Sequence, residues 1–451
     1  DLVIAVSAEE GVLDGALSEA EKLLGKKQAQ EQGGEFRPKT LRGALKSNPA
    51  ANVAVISVAG RYAAEEAWEA LEQGLHVLLF SDNVSLEDEI ALKKYAHGRG
   101  LLLMGPGAGT AILNGVALGF ANVLPPGPVG IVSAAGTGLQ EVSTLLARKG
   151  VGLTQGIGTG GRDLKQEVGG IMMLAGLRAL QEDPATQVIV LVSKPPAASV
   201  ARKVLDQVSQ CQKPTVVCLL GGELGNLPKG ALAARTLEEA ANLAAAQVLP
   251  HTAPGAARAG EPEALATELR QRLKPGQRYL RGLFSGGTLC YEAQVIWRDL
   301  LAEPVFSNAP LEPGQQLSDS SRSLGHSAID LGEEEFTVGR LHPMIDNDLR
   351  IRRLLQEGRD PEVAVLMLDV VLGYGAHPDP ARELGPAARK ARHAAAEAGR
   401  DLIVVASITG TEQDPQGLER QARALQESGI VLCDSNAAAA RLVAKIVGKQ
   451  P

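Results

Sequence analysis

Aromatic side chains are scarce: 2 Trp, 5 Tyr and 6 Phe make up 3% of the 451 residues. So few rings exclude a surface built to stack nucleobases, the usual platform for single-stranded nucleic acid. Excess positive charge is missing too. The net charge of −7 argues against a polyanion or an anionic membrane surface as main partner, so any anion site must be local. Cysteine is rare, at four residues (Cys211, Cys218, Cys290, Cys433), with no C-x-x-C pair and no histidine at zinc-ligand spacing. A reduced, cytoplasmic compartment without structural disulfides or a metal is the expectation. No apolar run approaches the ~18 residues of a membrane span, and no signal peptide is visible. A Walker loop, GxxxxGK[ST], is also absent. The opening DLVIAV reads as a strand already under way without an initiator Met, so an upstream element is expected to be missing.

Glycine (51 residues) and small apolar residues are abundant. Short Val/Ile/Leu-rich runs alternate with amphipathic segments such as AAEEAWEALEQG and SVARKVLDQVSQC. That alternation predicts parallel sheets buried on both faces, a doubly wound α/β class. At roughly 150 residues per domain the length suits about three domains. Proline-rich NVLPPGPVG and the stretch HTAPGAARAGEPE set expected boundaries: 1–124, 125–252, a linker over 253–275, and 276–451. The last two domains look like repeats. VIVLVSKPPA parallels VAVLMLDVVLG, KPTVVCLLGGE parallels RDLIVVASITGTE, and ARTLEEAANLAA parallels CDSNAAAARLVA.

Each repeat opens on the same kind of junction, GIVSAAGTGLQEV and GLFSGGTLCYEA: an apolar run, then small polar residues and a helix start. A helix N-terminus exposes unpaired N–H groups and the positive end of its dipole, so Ser133, Gly136, Thr137 and Gly138, with Ser285, Gly286, Gly287 and Thr288, are candidate phosphate ligands. Ordinary capping uses the same residue types and stays open as the alternative. Gly160 and Gly161 in GIGTGGRDL extend the candidate anion site, and MGPGAGT and FSDNV close two strands of the first domain. The densest polar cluster is GRLHPMID. Arg340 suits a carboxylate or phosphate, His342 a proton shuttle, with Asp346 nearby; a rigid His-Pro turn is the alternative. Arg162 beside Asp163 has the same two readings, catalytic contact or surface ion pair, and Lys194 is an open candidate for an anion. His326 reads as structural. Cys290 reads as a small buried hydrophobe, although the first turn of a helix would lower its thiol pKa. Glu141 and Glu292 fall at matching repeat positions near the helix starts, where capping accounts for them.

GPVGIVSAAGTGLQEV, GIGTGGRDL and KPTVVCLLGG together resemble the α subunit of succinyl-CoA synthetase. The segment from FSGGTLCYEA to VLCDSNAAAARLVA resembles the C-terminal domain of its β subunit. AVISVAG, LFSDNVSLEDE, TGGRDL, VSKPPA, GGTLC and GRLHPMID resemble most closely the FdrA proteins, acyl-CoA-synthetase-like chains that fuse these pieces. The resemblance implies a CoA-binding-type Rossmann domain followed by two flavodoxin-like ligase domains. It implies contacts to CoA or a nucleotide at Ser81, Asp82, Asn83, Gly105, Pro106 and Thr110, phosphate as substrate or product, a homodimer, and partner subunits of a transferase complex. It further implies an oxamate carbamoyltransferase-like reaction in purine and allantoin breakdown. The departures bear on mechanism. The synthetases' phosphorylated Gly-His-Ala-Gly histidine has no counterpart in GGELGNLPKGALAARTLEEA, the glutamate that orients it is lost at SKPP, and no segment is long enough for an ATP-grasp domain. GPGAGT also lacks the Asp-Cys usual in FdrA chains. Two other readings stay open: an NDP-forming CoA ligase component completed by an ATP-grasp partner, and a non-catalytic CoA- or nucleotide-binding subunit.

Overall fold

A computed structural model describes residues 38–222, 225, 227–249 and 261–448. The opening strand expected from DLVIAV, the first part of the expected linker (253–260) and part of the GGELGN segment lie outside the described residues. The chain divides into a first unit, 1–51, and a second, 52–451. In the first, Thr40 caps helix α1 (Leu41–Ser47) by accepting from Gly43 N–H.

The second unit is built on three sheets. The first is parallel, in order β1-β2-β3, from β1 (Val53–Ile56), β2 (His76–Leu79) and β3 (Leu103–Met104). Helices α2 (Gly60–Glu72) and α3 (Leu86–Gly98) provide the crossovers between these strands. The second sheet has the order β10-β9-β8-β6-β7-β4-β5. Its strands are β4 (Thr110–Leu113), β5 (Val116–Gly119), β6 (Pro126–Ser133), β7 (Leu153–Gly158), β8 (Val188–Ser193), β9 (Thr215–Leu219) and β10 (Ala231–Ala234). Helices α4 (Gly136–Arg148), α5 (Ile171–Glu182), α6 (Ala198–Ser209) and α7 (Leu237–Val248) belong with it, and α8 (Glu261–Gln271) follows. The third sheet is wholly parallel, in order β12-β13-β11-β14-β15-β16. It comprises β11 (Tyr279–Phe284), β12 (Val305–Ser307), β13 (His326–Asp330), β14 (Val363–Val371), β15 (Ile403–Thr409) and β16 (Val431–Cys433). Its helices are α9 (Gly287–Leu300), α10 (Glu334–Thr337), α11 (Asp348–Glu357), α12 (Pro380–Glu397), α13 (Leu418–Glu427) and α14 (Asn436–Val447).

The duplication is visible in the topology. Reading β10-β9-β8-β6-β7 against β16-β15-β14-β11-β13 gives the same order of strands. The central strands are apolar because both faces are covered: all nine residues of β14 are buried. Helices α4, α7, α9 and α14 contribute to one continuous core with residues of both large sheets, including Leu139, Ala244, Leu289 and Val443. Gly138 permits the close approach of α4 to α9, since a side chain there would meet Thr288 and Val192 at 3.0 Å.

One expected division is redrawn. Residues 110–119 fall in the first domain by sequence, yet they form a hairpin that pairs antiparallel with β7 at the edge of the second sheet. Its two-residue turn, Asn114-Gly115, has both φ angles positive (50° and 79°), which glycine and asparagine tolerate best.

Glu141 and Glu292 do cap helices, but helices of the opposite repeat. Glu141 on α4 accepts from the Asn436 N–H that opens α14 (3.0 Å) and from Thr409. Glu292 on α9 accepts from the Leu237 N–H that opens α7 (2.7 Å) and from Asn436 Nδ2 (2.8 Å). Burial lifts the Glu292 carboxyl to about 7, against the pull of these hydrogen bonds. Glu292→Ala is expected to cost about 2 kcal/mol in urea unfolding, because two buried donors lose their acceptor. A loss under about 0.5 kcal/mol would mean the reciprocal caps do not hold the repeats together.

Among the described residues no helix is long and apolar enough to cross a membrane.

Candidate functional site

The C-terminal ends of all three sheets open on one cleft of about 1180 Å³, where doubly wound folds place ligands. The segments after β1 and β2 form one wall through Ser57–Ala59 and Phe80–Asn83. Ser81 ties these loops together, its hydroxyl accepting from Val58 N–H (2.9 Å) and donating to Ile56 O (3.4 Å). Asp82 and Asn83 stand exposed at the mouth. Of the glycine-rich MGPGAGT stretch, Gly107, Gly109 and Thr110 reach the cleft. Gly105 and Pro106 do not line it: Gly105 (φ 111°) packs against Leu79 O, leaving no room for a side chain. Thr110 spends its hydroxyl on Phe120 O (2.7 Å).

The two helix junctions meet across the cleft floor and differ. At the first, Ser133 turns its hydroxyl inward, accepting from Ala135 N–H (3.0 Å) and donating to Ala135 O (2.7 Å). This leaves Ala135 as an N-cap without a side-chain acceptor, and Gly136 and Thr137 face the cleft. Gly136 is uncrowded, its nearest neighbour to an added Cβ being Thr110 Oγ1 at 3.5 Å. One turn further in, Gln140 also lines the cleft. Its Nε2 donates to Asn122 (3.1 Å), while its buried Oε1 has no hydrogen-bond partner.

At the second junction the two amides that precede the helix are held by a carboxylate. Asp369, a buried carboxylate on β14, accepts from Ser285 N–H (2.8 Å), Ser285 Oγ–H (3.0 Å) and Gly286 N–H (2.8 Å). The buried Arg350 donates to it at 2.9 Å. Thr288 N–H donates to Thr137 Oγ1 (3.3 Å), joining the two helix starts. The matched junctions therefore differ in what holds the residues before the helix, a serine hydroxyl at α4 and a buried carboxylate at α9, while Gly136 and Thr137 of one and Gly287 and Thr288 of the other line the cleft.

Asp330, which sequence reading passed over, ends β13 at this floor and lines the cleft. It is 3% exposed. Asn308 fixes its backbone through paired 2.9 Å bonds, and Gly332 N–H donates to Oδ1 at 2.9 Å. Oδ2 lies 2.5 Å from where a side chain on Gly287 would begin, so only glycine fits opposite it. Burial raises this carboxyl to about 7, with Lys194 pulling it down and Glu333 and Asp369 pushing it up. Lys194 lines the cleft beside the Tyr291 ring, 5.4 Å from its centroid.

His342 hangs over the same floor against Phe120, with ring centroids 5.6 Å apart. Burial lowers it to about 4, so the ring is neutral at pH 7. Nδ1 accepts from Met344 N–H (3.2 Å), which leaves the proton on Nε2. A side chain on Gly332 would begin 2.8 Å from His342 Nε2 and 3.2 Å from Asp330 Oδ1, so imidazole and carboxyl flank the same glycine. A neutral imidazole donor next to a carboxyl that titrates near neutrality can polarise a carbonyl and move a proton.

Arg340 is exposed on the cleft rim, while Asp346 faces away and accepts from Asp348 N–H (2.9 Å). Arg162 is committed elsewhere: its guanidinium pairs with Glu89 (2.7 Å) and donates to Val84 O (2.8 Å). Its neighbour Asp163 is buried against Lys93 (2.9 Å), so this pair braces α3 and does not face the cleft. Gly161 lines the cleft, whereas Gly160 (φ 87°) packs on the Gly105–Pro106 backbone. His326 accepts from Leu280 N–H through Nδ1 (3.2 Å), a structural role. The Cys290 thiol is buried and pushed well above its usual value by that burial.

A family model described as CoA-ligase matches residues 283–446. An uncharacterized protein of Escherichia coli strain K12, YahF, is 45% identical over 97% of this chain and 84% of its own length. The α subunit of an ADP-forming succinate–CoA ligase from Methanothermobacter thermautotrophicus is 24% identical over 49% of this chain and 75% of its own. Among solved structures, PH0766 from Pyrococcus horikoshii OT3 aligns over 92% of this chain and 87% of its own at 15% identity, with a TM-score of 0.36.

Proposed function

The chain belongs to the FdrA-like, acyl-CoA-synthetase-like proteins, and from that membership we propose that its cleft transfers an acyl or carbamoyl group to or from phosphate. The observation that carries this reading is the start of α4 on the cleft floor. Gly136 and Thr137 face a cleft whose floor also holds a neutral imidazole and a carboxyl. Phosphate at the α4 amides sits where the helix dipole favours negative charge. His342 Nε2–H donates to the carbonyl oxygen of the group in transfer, as an oxyanion donor does. No phosphohistidine is required, in keeping with the histidine-free stretch from Gly221 to Ala240. Partner subunits of a transferase complex, with oxalurate-like carbamoyl donors, are the finer form of this proposal.

A second reading, a CoA ligase completed by another subunit, draws on the succinate–CoA ligase relatives and on the size of the cleft. It assigns CoA to the wall formed by Phe80–Asn83.

Calorimetric titration with phosphate, carbamoyl phosphate, CoA and ADP separates the two. Phosphate and carbamoyl phosphate are expected to bind. Gly136→Asp is expected to weaken both at least tenfold, since a carboxylate beside the amides repels an anion. Gly136→Ala, which has room for its methyl, is expected to bind nearly as the parent. Binding of CoA alone, indifferent to Gly136→Asp, would sink the phosphate-transfer reading.

A further inference from the structure

Resting on that reading of the cleft, we propose that Asp330 is its proton relay, giving its proton to the leaving group and regaining one from the attacking group. The requirement follows from the chemistry. When HPO₄²⁻ attacks a carbamoyl or acyl amide, the new bond is phosphate O–C and the broken bond is C–N. The phosphate oxygen loses one proton, and the leaving nitrogen needs one to depart as a neutral amine. When a thiol attacks an acyl phosphate, the new bond is S–C and the broken one C–O; the thiol proton ends on the departing phosphate. In both cases one proton crosses from nucleophile to leaving group, with no net change and no outside acid. A carboxyl that donates and is then reprotonated balances the step.

Asp330 has the placement for it. Asn308 and Gly332 N–H hold it rigidly, while Oδ2 rests at Gly287, where α9 begins. Gly286, the residue before, packs within 3.0 Å of Thr137 at the start of α4, measured from an added Cβ. Asp330 thus lines the cleft floor between the start of α9 and His342. The groups facing it are Lys194 beyond β8, Glu333 beyond β13, Asp369 on β14 with its partner Arg350, Cys290 on α9, and His342 over the floor. The other buried carboxylate of the floor cannot substitute, because Asp369 is consumed by three donors and an arginine.

A relay carboxyl must keep its proton while an anion is bound and be able to give it up near neutral pH. The probe is sulfate, a tetrahedral dianion that does not titrate in this range. For the wild type, sulfate Kd is expected to be flat below pH 7 and to rise about tenfold per pH unit above it, because ionised Asp330 opposes the anion unless it is protonated. Asp330→Asn is expected to bind within threefold of its own best value from pH 6 to pH 9. If the two profiles coincide, the relay is overturned and the anion seat survives. If the wild type binds neither sulfate nor phosphate at any of these pH values, the reading of the cleft fails and the relay with it. Should Asp330→Asn fail to fold, carboxyl ¹³C signals of aspartate-labelled wild type decide. One aspartate titrating near neutrality and moving upward with sulfate is expected; its absence overturns the proposal.

Discussion

Asp369→Ala is expected to destabilise the chain by about 3–5 kcal/mol in urea unfolding, because it strips one buried ion of its partner. The carboxylate is fully buried and closes four donors at once: two backbone amides, the Ser285 hydroxyl and the Arg350 guanidinium. Alanine leaves all four facing a small cavity with a positive charge and no counter-ion. The cost is dominated by that unpaired charge, since each neutral amide alone would account for about 1–3 kcal/mol at most. The vacated space is itself an anion hole, and formate is expected to restore part of the lost stability, whereas Asp369→Ala,Arg350→Met should show no such rescue. Anion titration supplies the functional half of the result. Wild type should take up one sulfate per chain at the floor and Asp369→Ala two. A variant within 1 kcal/mol of wild type, with unchanged stoichiometry, would show that the second junction is not held by this carboxylate.

The same residue shows where sequence reading stops. The strand pattern VAVLMLDVVLG is plain, and so is its repeat partner. What went unread is the cost of a lone Asp among apolar residues in a strand buried on both faces, which obliges a partner to exist. Asp330 in HSAIDLG carries the same signal. Two of their partners, Arg350 and Asn308, arrive from segments that sequence spacing does not bring together. Arg162 fails in the opposite direction. Beside a glycine cluster it looks like an anion ligand, but Glu89, 73 positions earlier, folds over from α3 to pair with it. The Asn-Gly turn at 114–115, flanked by short apolar runs, was a legible hairpin signal that the proline-rich boundary at 122–130 obscured. By contrast the glycine junctions, the alternation of elements and the duplication could be read directly, since each depends on local pattern. His342 was legible as a polar cluster residue, while its neutral state and free Nε2–H follow only from its burial and from Met344 N–H.

Stability itself should register the tension at Asp330. Its folded carboxyl sits at about 7, far above the ordinary aspartate value of 3.8 in the unfolded chain. The folded state therefore binds this proton more tightly than the unfolded state does. Below pH 3.8 both hold it and nothing is lost; between there and about 7 only the folded state holds it, so stability falls as pH rises; above 7 the loss is complete. Each pH unit in that window corresponds to about 1.4 kcal/mol. Asp330→Asn carries no ionisable group here, so its stability relative to wild type should climb by about 3 kcal/mol from pH 5 to pH 8. Paired urea melts at the two pH values measure this directly, and every other titrating group cancels in the difference. Glu292, also at about 7 and just as buried, contributes a parallel slope, which Asp330→Asn leaves intact and Glu292→Gln removes. The two carboxyls part company on ligand. Sulfate should shift the Asp330 step to higher pH, because an anion beside it favours the protonated form, and should leave the Glu292 step unmoved, because that carboxyl faces the Leu237 amide and Asn436. A carboxyl held at a stability cost and answering to an anion has the signature of a working group; one held at the same cost and indifferent to anions is part of the frame.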